Sequence, residues 1–268
     1  MLATVIVNRY GAADAGEMAD AIEDLCSPND ACGWSSSGVY CFWNVASKEI
    51  LYVGLAADLP LRFRQHNGLS ACQENCCKRE KIATYFKSHD QIGFSVFVQS
   101  PMFQAITHRW ADEHSGELEW IAESFGYFDG ADVKEDLNRE ILSGLREAEG
   151  AMLAAYKSDC SRFPSWNEIG GANLKYPESK LETARYFLRS LTRSQPHDDQ
   201  FTARCTLREM AGPRNSLRER YEVYLHALRM HMLARGVSMS EAFGAVTDGF
   251  GDLPRIRAEN YLKKQPEW

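Results

Sequence analysis

Apolar and polar positions alternate along this chain in two rhythms. Residues 2–8 alternate weakly, as a strand would, whereas 15–26 carry Met18, Ile22 and Leu25 at helical spacing. The string Ser27-Pro28-Asn29-Asp30 ends that helix, and a polar loop runs to Gly38. Two β-like runs follow, 39–45 and 49–55, joined by Ala46-Ser47-Lys48; so short a connection predicts an antiparallel hairpin. If its turn is centred on Ser47, paired positions sum to 94 and Phe42 faces Tyr52. Asp58 is placed to cap a helix reaching about Asn67, with Pro60 tolerated in the first turn. A further helix over 76–88, a third strand over 92–99, and helices near 103–124 and 134–158 complete this part. After the loop of Pro164-Ser165-Trp166-Asn167 and Gly170-Gly171 the pattern is helical to the end. Three Ser-x-x-Glu boxes mark expected helix starts at Ser179, Ser216 and Ser238.

The 268 residues suffice for one large or two small cores, and the boundary is expected near 171–178. No run of eighteen apolar residues occurs, and no basic stretch precedes the apolar N-terminus, so a cytoplasmic protein is expected. Eight cysteines (26, 32, 41, 72, 76, 77, 160 and 205) are too sparse for a disulfide scaffold and read as reduced thiols. The net charge of −7 argues against a protein that coats nucleic acid generally. Its distribution is uneven. Residues 1–174 carry 14 basic and 25 acidic residues, and residues 175–268 carry 16 and 12. Residues 58–87 form a local basic segment with Arg62, Arg64, Lys78, Arg79, Lys81 and Lys87. Any nucleic-acid contact is therefore expected along these two regions.

Two tripeptides, Gly38-Val39-Tyr40 and Tyr52-Val53-Gly54, are followed by Arg62 and then, four residues on, by His66. On the expected register Tyr40 and Tyr52 share a sheet face, and Arg62 and His66 share a helix face. The string Tyr-Val-Gly-x3-Asp-Leu-x2-Arg-Phe-x2-His resembles the GIY-YIG nuclease signature. The resemblance covers about residues 37–170, with residues 111–133 as an insertion. It implies an α+β fold: a small domain with a three-stranded antiparallel sheet flanked by helices, here followed by a helical C-terminal region. The corresponding division is 1–36, an N-terminal extension; 37–173, the nuclease domain; and 174–268, helical.

The helix at 134–158 offers several acids. Glu149 falls on the stripe of Leu145, Met152 and Leu153, whereas Glu147 neighbours Ser143, Gly144, Gly150 and Ala151. A carboxylate on an apolar stripe is costly unless something pairs with it, and a metal ion in a cleft would. Glu149, with apolar residues at +3 and +4, also resembles the family's metal-holding acid. Asn167 resembles the supporting Asn of its final loop, although the gap from Glu149 is longer here. Cys72-x3-Cys76-Cys77 lacks the second knuckle of a zinc site.

The resemblance implies a DNA endonuclease that uses one Mg²⁺ (or Mn²⁺), held by Glu149. Tyr40 would position or deprotonate the attacking water, directly or with help from His66. Arg62 would hold the scissile phosphate, and Tyr52 would orient the nucleophile or the phosphate. Double-stranded DNA is the expected partner, with Arg64, Lys78, Arg79, Arg214, Arg218 and Arg220 as candidate contacts. The basic C-terminal region would hold the duplex, or else pack on the core, a second copy or a partner protein. The alternative function is a binding module that keeps the fold without the chemistry.

Overall fold

The computed structural model describes residues 2–26, 34, 36–72, 77–99, 130–168, 175–194, 199–211, 216–246 and 253–264. Four strands form one antiparallel sheet: β1 (Leu2–Tyr10), β2 (Gly38–Asn44), β3 (Ile50–Ala56) and β4 (Ile92–Gln99), in the order β1-β4-β2-β3. The expected three-stranded sheet is thus corrected to four. The segment assigned to an N-terminal extension pairs with β4 from Leu2↔Gln99 to Tyr10↔Ile92. Its weak alternation has a simple cause: β1 is buried on both faces, so nearly all of its positions are apolar or small.

Nine α-helices surround the sheet among the described residues: α1 (Ala15–Leu25), α2 (Leu59–His66), α3 (Arg79–Tyr85), α4 (Gly130–Cys160), α5 (Glu178–Leu191), α6 (Leu207–Met210), α7 (Ser216–Arg235), α8 (Met239–Val246) and α9 (Leu253–Ala258). The helix expected over 103–124 lies outside the described residues. One sheet face, with Ile6, Tyr40, Phe42 and Phe94, packs on α1, α2, α7 and α8. The other, with Val5, Val7, Val39, Cys41 and Phe97, packs on α4 and α5.

The first of these cores joins Ile6 and Phe42 to Tyr221, Leu225 and Leu228 of α7, so residues on both sides of position 174 share it. Arg229, a cation on α7, is fully buried. Its guanidinium donates to Glu222 at 3.0 Å, to Thr4 Oγ1 at 3.1 Å and to the carbonyl of Gln200 at 2.8 Å, joining α7 to β1. Helical periodicity alone could not separate a solvent face from a face packed on a sheet.

Both sheet edges are covered, which removes open pairing sites. Segment 201–203 pairs with β1 at Val5, and the 164–167 loop lies along β3. Of the expected helix starts, Ser238 is capped reciprocally with Glu241, and α7 begins at Ser216. Ser179 lies inside α5, which starts at Glu178 after Pro177. A further box, Thr206 with Glu209, caps α6. No helix among the described residues is long and apolar enough to cross a membrane.

Candidate active site

The β2–β3 hairpin has the expected register, with Phe42 opposite Tyr52 and Tyr40 opposite Gly54. It slips only at the bulge between Phe42 and Trp43. Tyr40 and Tyr52 therefore sit diagonally on one face, ring centroids 5.7 Å apart. Gly54 makes this possible. A Cβ there would lie 2.6 Å from Tyr52 Cε1 and 2.8 Å from Tyr40 Oη, closer than real contacts allow. Gly38 has a comparable duty, since a Cβ there would meet the carbonyl oxygen of Phe97 at 2.7 Å. The glycine of each tripeptide thus makes room, one for the phenols and one for the neighbouring strand.

Helix α2 brings the other two groups. Asp58 caps it, its Oδ1 accepting from the Leu61 N–H at 2.8 Å. Phe63 and His66 turn inward, and Arg62 lies half-buried on the His66 side. His66 is fully buried. Its Nε2 is 2.6 Å from Tyr40 Oη, and its Nδ1 accepts the backbone N–H of Lys78 at 2.8 Å. Burial, with Arg62 and Lys78 beside it, pulls His66 down to about 3. Burial pushes Tyr40 well above the ordinary tyrosine range; Tyr52 and Glu149 add to this and Arg62 works against it. Tyr52, less enclosed, is also raised by burial, with Tyr40 and Arg62 opposing and Glu149 adding.

Glu149 reaches this group around the edge of the sheet. Helix α4 buries Leu145, Met152 and Leu153. That orientation leaves Glu149 half-buried beside β3, where its carboxylate accepts the Leu55 N–H. Burial raises its pKa, and that hydrogen bond partly offsets the effect. Glu147 points out and pairs with Lys180. Asn167 grips the same edge strand: Oδ1 accepts from the Val53 N–H at 3.0 Å, and Nδ2 donates to the Val53 carbonyl at 2.7 Å. The Trp166 N–H donates to the Leu51 carbonyl at 2.8 Å. Positions 51, 53 and 55 point their backbone groups outward, so one edge supports Trp166, Asn167 and Glu149 in turn. The long gap from Glu149 to Asn167 is taken up by the last three turns of α4, which run along the sheet before the chain returns.

The candidate DNA contacts are dispersed. Lys78 lies at the site, its ammonium 5.2 Å above the Tyr52 ring and 3.9 Å from Glu168; burial lowers its pKa. Arg79 is exposed and crosses Gly68. Arg64, two positions from Arg62 and so on another helix face, pairs with Asp20 at 2.9 Å. Arg218 pairs with Glu209 at 3.0 Å, and Arg220 is exposed. Arg214 lies outside the described residues. Cys72 is disulfide-bonded, which corrects the expectation of reduced thiols throughout and removes its thiolate from any zinc set; its partner lies outside the described residues. Sequence spacing carries no information on which sulfurs meet in space. Cys26, Cys41, Cys77, Cys160 and Cys205 are not disulfide-bonded.

Two contributors were not legible in the sequence. The Lys78 backbone N–H has no sequence signal, because every residue except proline has one. The aromatic packing of Phe42 against His66 (5.6 Å) and Trp166 (6.2 Å) depends on the register and on the returning loop. Comparison with protein-family models, with curated proteins and with solved structures returned no match.

Proposed function

We propose that this chain is a metal-dependent DNA endonuclease, hydrolysing phosphodiester bonds with a GIY-YIG-type site. The observation that carries the reading is the position of Glu149. An acid about a hundred residues from the hairpin is brought beside β3, close enough to the group of Tyr40, Tyr52, Arg62 and His66 that both phenols feel its charge.

The donor set fits a single magnesium ion. Glu149 is a half-buried carboxylate of raised pKa with one backbone donor, a state that a cation would relieve. Among the described residues no group of three or more His, Cys, Asp or Glu forms a protein cage. Mg²⁺ commonly takes one or two carboxylates and fills its other positions with water and substrate phosphate. Bound at Glu149, it would supply charge neutralisation on the phosphate and at the leaving oxygen.

The chain's own groups do the rest. Arg62 offers the planar fork that suits a phosphate. Tyr40, the more deeply buried phenol, holds the water-activating oxygen, and the less enclosed Tyr52 orients the nucleophile. Lys78 adds positive charge above Tyr52. Asn167 locks the β3 edge and so keeps Glu149 and Tyr52 in register. DNA, as duplex, would approach this side, with Arg79 flanking.

The test is nicking of supercoiled plasmid in Mg²⁺ and in Mn²⁺, with a chelator control. Cleavage that needs the metal and drops at least about a hundredfold in Tyr40→Phe supports the reading. Arg62→Lys should also fail, since an ammonium cannot reproduce the fork. A folded wild-type protein that binds DNA and never cuts it would be a binding module instead.

A further inference from the structure

We infer that His66 is a fixed hydrogen-bond donor to Tyr40, a positioning residue, and not a base that removes the Tyr40 proton. The peptide N–H of Lys78 can only donate, and it points at His66 Nδ1 from 2.8 Å. Nδ1 must therefore present its lone pair. In a neutral imidazole the hydrogen then sits on Nε2, and that atom lies 2.6 Å from Tyr40 Oη. The Tyr40 oxygen accepts this hydrogen, and its own proton is left for the hydrogen bond it shares with Tyr52.

The opposite tautomer would set Nδ1–H against Lys78 N–H, two donors facing each other across that 2.8 Å. The doubly protonated ring meets the same conflict, and it would be a buried cation beside Arg62 and Lys78. Among the described residues, the groups around the ring are Tyr40 and Phe42 from β2, Tyr52 from β3, Arg62 from its own helix and Lys78 before α3, and none of these is an acid that would favour the charged ring.

The consequence concerns proton movement. A relay in which neutral Tyr40 takes the water proton and passes its own to His66 needs a free lone pair on Nε2, and here Nε2 carries hydrogen. To act as the base the Tyr40 phenol must first give its proton to solvent, against the burial that raises its pKa, and the resulting phenolate oxygen is then held by the His66 Nε2–H and by the charge of Arg62. The water proton goes to that oxygen and regenerates the phenol. The catalytic part of this inference rests on the nuclease reading; the direction of the hydrogen bond does not.

Two measurements test it. The first uses protein labelled with ¹⁵N at its seven histidines. Two-bond proton–nitrogen correlation at pH 7, assigned with His66→Gln, reads the tautomer directly. Hydrogen on Nε2 alone is expected; hydrogen on Nδ1, or on both nitrogens, overturns the inference whether or not the protein cuts DNA. The second compares cleavage by two folded variants. Gln places an N–H where Nε2 stands, so His66→Gln should keep the rate within about tenfold, the scale of one lost neutral hydrogen bond. Asn satisfies Lys78 but leaves Tyr40 without a donor, so His66→Asn should fall by about a hundredfold or more. Equal loss in both variants overturns the donor role. Absence of cleavage by the wild-type protein counts against the nuclease reading alone, and the labelled-histidine spectrum still decides the hydrogen bond.

Discussion

Gly54→Ala tests how the two phenols are accommodated. The alanine methyl would sit 2.6 Å from Tyr52 Cε1, 2.8 Å from Tyr40 Oη and 2.9 Å from Tyr40 Cζ, so at least one ring must move. Tyr40 has little freedom, being buried and bonded to His66 at 2.6 Å. Tyr52 is the ring that would yield, dragging its hydroxyl from its place beside Tyr40 and disturbing the contact with Lys78. Overpacking of this kind costs about 1–3 kcal/mol. Gly54 is not in a left-handed conformation. Without the clash, alanine would therefore stabilise the chain by roughly 0.4–1 kcal/mol through the unfolded state. Steric clash and chain entropy therefore act with opposite signs. A net loss should appear as a lower Tm, roughly 2–4 °C for each kcal/mol in a protein of this size. Displacing a catalytic group by about 1 Å costs on the order of a hundredfold in rate, so plasmid nicking should fall by about that factor. A variant with raised Tm and wild-type cleavage would show that the glycine makes no room for the phenols, and the account of the site would fail with it.

The remaining predictions are these. Glu149→Gln should abolish Mg²⁺-dependent nicking while folding and DNA retention persist, and Glu147→Gln should leave cleavage unchanged; the reverse pattern in the nicking assay would sink the assignment of the metal acid. Arg229→Met leaves Glu222 buried without its partner and should cost about 3–5 kcal/mol in urea denaturation; an unchanged midpoint would contradict the burial of that pair. His66, whose folded pKa lies near 3, contributes stability that is complete above its unfolded pKa of about 6.5 and is lost as pH falls towards 3. The stability difference between wild type and His66→Gln should therefore shrink on acidification by roughly 1.4 kcal/mol per pH unit between about 6.5 and 4; a pH-independent difference would mean that the ring is not held neutral.

The local frame of this protein was legible without a structure. The short Ala46-Ser47-Lys48 connection set the hairpin register, because a one-residue slip would turn every side chain to the other face. Asp58 and Pro60 set the start of α2, and helical spacing put Arg62 and His66 together. The apolar stripe of α4 separated Glu149 from Glu147, because only one of them could face the sheet. What the tertiary structure alone decided depends on contacts between segments far apart in the chain. β1 completes the sheet by pairing with β4 more than eighty residues away, and its two-sided burial had erased the alternation that would have announced it. Arg229, on a helix of ordinary amphipathic pattern, became the buried link between α7 and β1. The tautomer of His66 was set by a backbone N–H after a loop. Patterning records which residues prefer water and which do not. It carries no record of which backbone donor will meet which ring nitrogen, and here that meeting sets the direction in which a proton can move.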